Sequence, residues 1–137
     1  MKPEEFFALD SSALLCLWKG EPGKEVVEEA LQKVKKKKAE INILSTDIAL
    51  AYYHLLQEKG EAAAKDFMEE MGNMPLNIIA VNKKIAAEAA DCMYEYGIEE
   101  YTQALSCALA IISSGRLLTG REQLTKVSEA EPLLITS

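Results

Sequence analysis

The stretch FFALDSSALLCLW, residues 6–18, decides how the rest of the chain is read. A short apolar run stops at Asp10, Ser11 and Ser12 follow, and a second apolar run then continues at helical spacing. An apolar run with a polar break fits a buried strand, and the spacing beyond it fits a helix. Hydroxyl residues at such a junction suit a helix N-cap. The segment therefore predicts a strand that carries the Asp10 carboxylate to its C-terminal end and leads into a hydroxyl-capped helix. Open α/β sheets bind ligands at the carboxyl ends of their strands, which makes Asp10 the first candidate for chemistry.

Outward from this stretch, helices and strands alternate. GEPG at 20–23 is a turn, and from Lys24 to Lys37 the residues Val26, Val27, Ala30, Leu31 and Val34 make one helical stripe. INIL at 41–44 reads as a strand, Ser45 or Thr46 is placed to cap the next helix, and Ile48, Ala51, Tyr52 and Leu55 share a face of it. Gly60 ends that helix and another runs from Glu61 to Met71. NMPLNIIAVN holds a third strand, Asn82 can cap a helix bearing Ile85, Ala89, Cys92 and Met93, and YGIEEYTQ leads into a helix from Ala104 to Ser113. RLLTG at 116–120 is a fourth strand, Glu122 to Val127 a short helix, and PLLIT a candidate last strand. The alternation predicts an α/β fold of three layers, α/β/α, around a central parallel sheet of four to five strands. Length predicts one domain over residues 1–137.

Composition narrows the function classes. The chain is 49% hydrophobic and 27% charged, with 22 acidic against 15 basic residues and a net charge of −7. That balance argues against a broad nucleic-acid-binding surface, since phosphate neutralisation supplies most non-specific affinity. Lys33, Lys35, Lys36, Lys37 and Lys38 are the local exception, read either as a solvated helix end or as a phosphate-contacting edge. No apolar run approaches the ~18 residues of a membrane span, and the acidic N-terminus does not resemble a secretion signal. Cys16, Cys92 and Cys107 form no CxxC pair and read as buried thiols of a reducing compartment, which predicts a cytoplasmic location. His54, the only histidine, has no partner at ligand spacing. Trp18, Tyr52, Tyr53, Tyr94, Tyr96 and Tyr101 read as core or dimer contacts, or as faces for stacking bases.

Four passages in order, LDSSALL (9–15), ILSTDIALAYYHLL (43–56), YGIEEYTQALSCALA (96–110) and LLTGREQL (117–124), resemble the PIN-domain family, which includes the VapC-type toxins. The resemblance covers essentially the whole chain and implies a small Mg²⁺- or Mn²⁺-dependent ribonuclease fold whose activity needs a cluster of four acids. A hard divalent cation takes oxygen ligands and needs concentrated negative charge; once held, it orients attacking water and offsets phosphate charge.

Carried over residue by residue, the resemblance matches Asp10 to the first acid, Ser12 to the hydroxyl residue after it, and Thr119 to the hydroxyl before the glycine of the fourth passage. The second acid would fall at Leu50 or Ala51, the third at Gln103 or Thr102, and the fourth at Arg121; none of these is acidic. Any metal would rest on Asp10. Asp47, Glu99, Glu100 and Glu122 lie near the vacant positions, so a relocated cluster of Asp10, Asp47 and Glu122 is one alternative. Arg121 at the fourth position predicts an Asp10–Arg121 contact in place of a metal. Three functions follow from the resemblance: a degenerate PIN domain that binds RNA, protein or its own copy; an active ribonuclease with relocated acids; or an assembly module using helices 45–58 and 61–71. The partners it implies are RNA, a second copy and a small antitoxin-like protein.

Overall fold

The structure, a computed structural model, describes residues 2–135. Its elements are β1 (Glu5–Leu9), α1 (Ser11–Lys19), α2 (Lys24–Lys35), β2 (Ala39–Leu44), α3 (Ser45–Lys59), α4 (Glu61–Met71), β3 (Asn77–Ile79), α5 (Lys83–Tyr96), α6 (Tyr101–Ile112), β4 (Arg116–Thr119) and β5 (Leu133–Leu134). Two 3₁₀ turns, Glu122–Lys126 and Ser128–Ala130, lie between β4 and β5. All five strands are parallel, in the order β3-β2-β1-β4-β5. The expected α/β/α architecture is therefore the observed one, with β1 at the centre of the sheet.

Alternation along the strands explains the layers. Leu9, Ile41, Ile43 and Leu118 pack in one apolar cluster with Leu14, Val27, Leu55 and Phe67 of α1–α4. Ala8, Leu44 and Leu117 join a second cluster with Ile85, Cys92, Leu105 and Leu109 of α5 and α6. Phe67 is fully buried and meets the Trp18 ring edge-on at 5.4 Å; truncating such a side chain to alanine costs about 3–5 kcal/mol. The three cysteines are buried free thiols. Burial pushes Cys92 up to about 11 and Cys107 up to about 12, so both behave as apolar fillers.

Local details differ from the sequence expectation. The α1 cap is the Asp10 carboxylate, which accepts from Ala13 N, and neither serine hydroxyl caps the helix. Neither Ser45 nor Thr46 caps α3, because the helix starts directly at the end of β2 with Leu44 in the cap position. Helix α6 begins at Tyr101, three residues before the expected start, and α2 stops at Lys35. The segment Glu122–Lys126 is a 3₁₀ turn. Of the expected last strand only Leu133–Leu134 pairs, and Thr136 lies outside the described residues. Gly20 closes α1 with φ +68, the left-handed conformation that glycine adopts without strain.

Candidate functional site: a buried ion pair at the carboxyl end of the sheet

Register builds the site. Leu9 of β1 is level with Leu118 of β4, so the next residues, Asp10 and Thr119, meet at the carboxyl end of the two central strands. Thr119 Oγ1 donates to Asp10 Oδ2 at 2.6 Å. Arg121 Nη1 donates to the same oxygen at 3.0 Å, forming a salt bridge. On the other oxygen, Asp10 Oδ1 accepts from Ser12 Oγ at 2.6 Å and from Ala13 N at 2.9 Å. The Asp10 side chain is fully buried, whereas Arg121 keeps 21% of its side chain exposed.

The loop after β4 is held in turn by the same groups. Gly120 N donates to Ser12 Oγ at 2.8 Å, and Arg121 N donates to Thr119 Oγ1 at 3.0 Å.

A second carboxylate joins through Ser11. Arg121 Nη2 donates to Ser11 Oγ at 3.0 Å, while Ser11 N donates to Asp47 Oδ1 at 2.9 Å. Asp47, in the first turn of α3, also accepts from Ser106 Oγ at 2.8 Å, from the middle of α6. Among the described residues, the buried polar and charged side chains are Asp10, Ser11, Asp47, Ser106 and Thr119, and all five belong to this one network. No buried side-chain nitrogen or oxygen among them lacks a partner.

Burial dominates the electrostatics of Asp47 and pushes its carboxyl up to about 7. The charge of Asp10 adds to the rise, and the hydrogen bonds from Ser106 and Ser11 and the nearby Arg121 oppose it. Protonated Asp47 can donate a hydrogen bond to Ser106 Oγ, whose own hydrogen then turns to Thr102 O at 3.4 Å. The network thus carries a guanidinium, a paired carboxylate and a carboxyl that titrates near neutrality.

The sequence-predicted residues divide into two groups. Asp10, Ser12, Thr119, Arg121 and Asp47 come together, and the expected Asp10–Arg121 contact forms. Gln103 bonds instead to Glu100 at 3.3 Å and Gln123 at 3.2 Å, with no hydrogen bond to Asp10, Asp47 or Arg121 among the described residues. Glu122 is exposed at the start of its 3₁₀ turn. The proposed trio of Asp10, Asp47 and Glu122 is not assembled: among the described residues no three His, Cys, Asp or Glu side chains are grouped to hold a metal. The reason is that Arg121, one residue earlier, is the side chain that reaches Asp10, while Glu122 is exposed. Ser106 and Ser11 were missed; a single hydroxyl inside the apolar run ALSCALA was the available signal.

The residues present do not fit Mg²⁺ or Mn²⁺. A carboxylate offers about four lone-pair sites, and Asp10 already accepts four hydrogen bonds. A hard cation also needs concentrated negative charge, whereas a guanidinium stands at 3.0 Å from Asp10 Oδ2.

Comparison with known proteins places this geometry. No family model matches the sequence, and no curated protein matches it. Solved structures do. VapBC2 from Rickettsia felis, bound to a DNA fragment from its promoter, matches with a TM-score of 0.74 at 15% identity, over 93% of this chain and 97% of that one. The chain has the VapC-type PIN fold. VapC20 of Mycobacterium tuberculosis, a sarcin-ricin loop cleaving toxin, matches with a TM-score of 0.69 at 12% identity, over 96% of this chain and 99% of that one. VapBC-1 from nontypeable Haemophilus influenzae gives 0.70 at 14%, over 96% and 99%. On this VapC-type PIN fold the buried network holds one ion pair, one further buried acid and four hydroxyls. No described helix is long and apolar enough to cross a membrane.

Proposed function

We propose that this chain acts by binding, with its nuclease chemistry silent, and that its counterpart is a small antitoxin-like protein in the cytoplasm. The observation that carries the reading is the Asp10 carboxylate: buried, with all four lone-pair sites in use and neutralised by Arg121 from within the chain. One structure sharing its fold is a toxin–antitoxin complex from Klebsiella pneumoniae, and two others are VapBC2 and VapBC-1, which supports the kind of partner. The test is cleavage of structured RNA by the purified chain across Mg²⁺ and Mn²⁺ titrations, with Asp10→Asn as control. The reading expects no cleavage that depends on Asp10. Metal-dependent cleavage that disappears in Asp10→Asn would overturn it in favour of an active ribonuclease.

One observation favours a second reading, self-association through the α3–α4 hairpin. Tyr53 on α3 and Met68 on α4 are large apolar side chains left 53% and 44% exposed. Sedimentation velocity of wild type and a Tyr53→Ser/Met68→Ser double variant tests it. A concentration-dependent dimer lost in the variant supports the reading, and a monomer at every concentration removes it.

A further inference from the structure

We propose that the crevice between α2 and β5, at the amino end of the sheet, docks an extended protein segment that carries lysines, with a lysine ammonium seated beside Glu29 and Glu131. The crevice lies at the opposite end of β1 and β4 from Asp10, so the inference stands whether or not the silent-site reading does.

Charge and shape carry the argument. The crevice holds about 380 Å³ and is walled by α2, the starts of β1 and β4, and the approach to β5. Phe7, Val26, Ala30 and Leu133 give it an apolar lining. Around that lining stand four carboxylates, Glu4, Glu5, Glu29 and Glu131, against two cations, Lys33 and Arg116. Four against two leaves an excess of two negative charges, which repels phosphate and suits a cation on an apolar stem. The crevice already accommodates one such group. Lys33 Nζ lies 2.9 Å from Glu5 Oε1 and 5.9 Å from the centre of the Phe7 ring, a carboxylate-and-aromatic setting for an ammonium. Arg116 is tied back by its Nε, which donates to Glu131 O at 3.1 Å. Glu4, Glu29 and Glu131 take part in no ion pair among the described residues, so their charge is left for a partner. The sheet edge supplies the shape of that partner. β5 is the end strand and pairs on one side with β4, so its outer side has no strand neighbour among the described residues. A segment laid along it by strand addition sends alternate side chains towards the crevice face.

The test titrates the full chain into a fluorescently labelled, end-capped octapeptide of alternating lysine and threonine and reads anisotropy at low and moderate salt. Wild type should bind saturably and more weakly as salt rises. Glu29→Gln/Glu131→Gln should weaken binding at least fivefold, whereas Asp91→Asn/Glu95→Gln, the same charge change on exposed acids of α5, should stay within twofold of wild type. Lys33→Gln should tighten binding, because Glu5 and the Phe7 ring lose their resident ammonium. Thermal melts check that all three variants fold as wild type does. No binding by wild type, equal weakening in the two double variants, or equal binding of a peptide with glutamate in place of lysine would overturn the inference. Displacement of the peptide by equimolar spermidine would assign the crevice to a free amine and overturn the docked segment.

Discussion

Strand β1 carries an ion pair at each end. At its start, Glu5 meets Lys33 at 2.9 Å; one residue past its end, Asp10 meets Arg121 at 3.0 Å. The distances are nearly equal, but the surroundings differ. The Glu5 and Lys33 side chains are 47% and 35% exposed, so water and salt already neutralise them. Asp10 is fully buried and tied to three hydrogen-bond donors besides Arg121. One strand therefore separates an incidental surface contact from a pair on which the local structure depends. Breaking a buried pair by removing one partner strands an uncompensated charge, which surface pairs do not.

The comparison can be broken from either end. The largest expected effect is Arg121→Ala, which leaves Asp10 buried without its counter-charge and should cost about 3 kcal/mol, read by urea unfolding; a loss no greater than that of Lys33→Gln would erase the distinction between the two ends. Asp47→Asn comes next, and its effect depends on pH. The folded carboxyl titrates near 7 against 3.8 for a free aspartate, so the folded state holds the extra proton between these values. Wild-type stability from this group is complete below about pH 4 and is lost as pH rises towards 7. Asp47→Asn should flatten that slope, gaining on the order of 2 kcal/mol relative to wild type at pH 8, measured as unfolding free energy against pH; an unchanged slope contradicts it. Thr119→Val removes a buried donor to Asp10 and should cost about 1–2 kcal/mol in the same assay, where a neutral result would show that Arg121 alone suffices. Smallest is Lys33→Gln, expected to fall within experimental error and to vanish fully in high salt.

Much of the central region was legible because local and non-local signals agreed there. The run 6–18 fixed a strand, an acid and a helix in that order, and the TG before Arg121 placed a cation where β4 would end. The parallel sheet then required only that β1 and β4 be neighbours, which brought Asp10 level with Thr119 and within reach of Arg121. The cap of α1 was misassigned because Asp10, Ser11 and Ser12 are all good capping residues, and the backbone turn alone selects Asp10. Asp47 was legible as a first-turn acid near the site but not as a buried one, since its partners Ser11 and Ser106 lie 36 and 59 residues away. Glu122 looked close because it directly follows Arg121, the expected fourth-acid position, yet its side chain is exposed. Gln103 was placed by the resemblance, yet its amide turns to Glu100 and Gln123.

The account stands on Asp10 being neutralised by Arg121. Isothermal titration of Mn²⁺ into the wild-type chain at neutral pH and moderate salt tests it most directly. The predicted trace is heat of dilution alone, the same in wild type and Asp10→Asn. A saturable one-to-one isotherm that is lost in Asp10→Asn would contradict it.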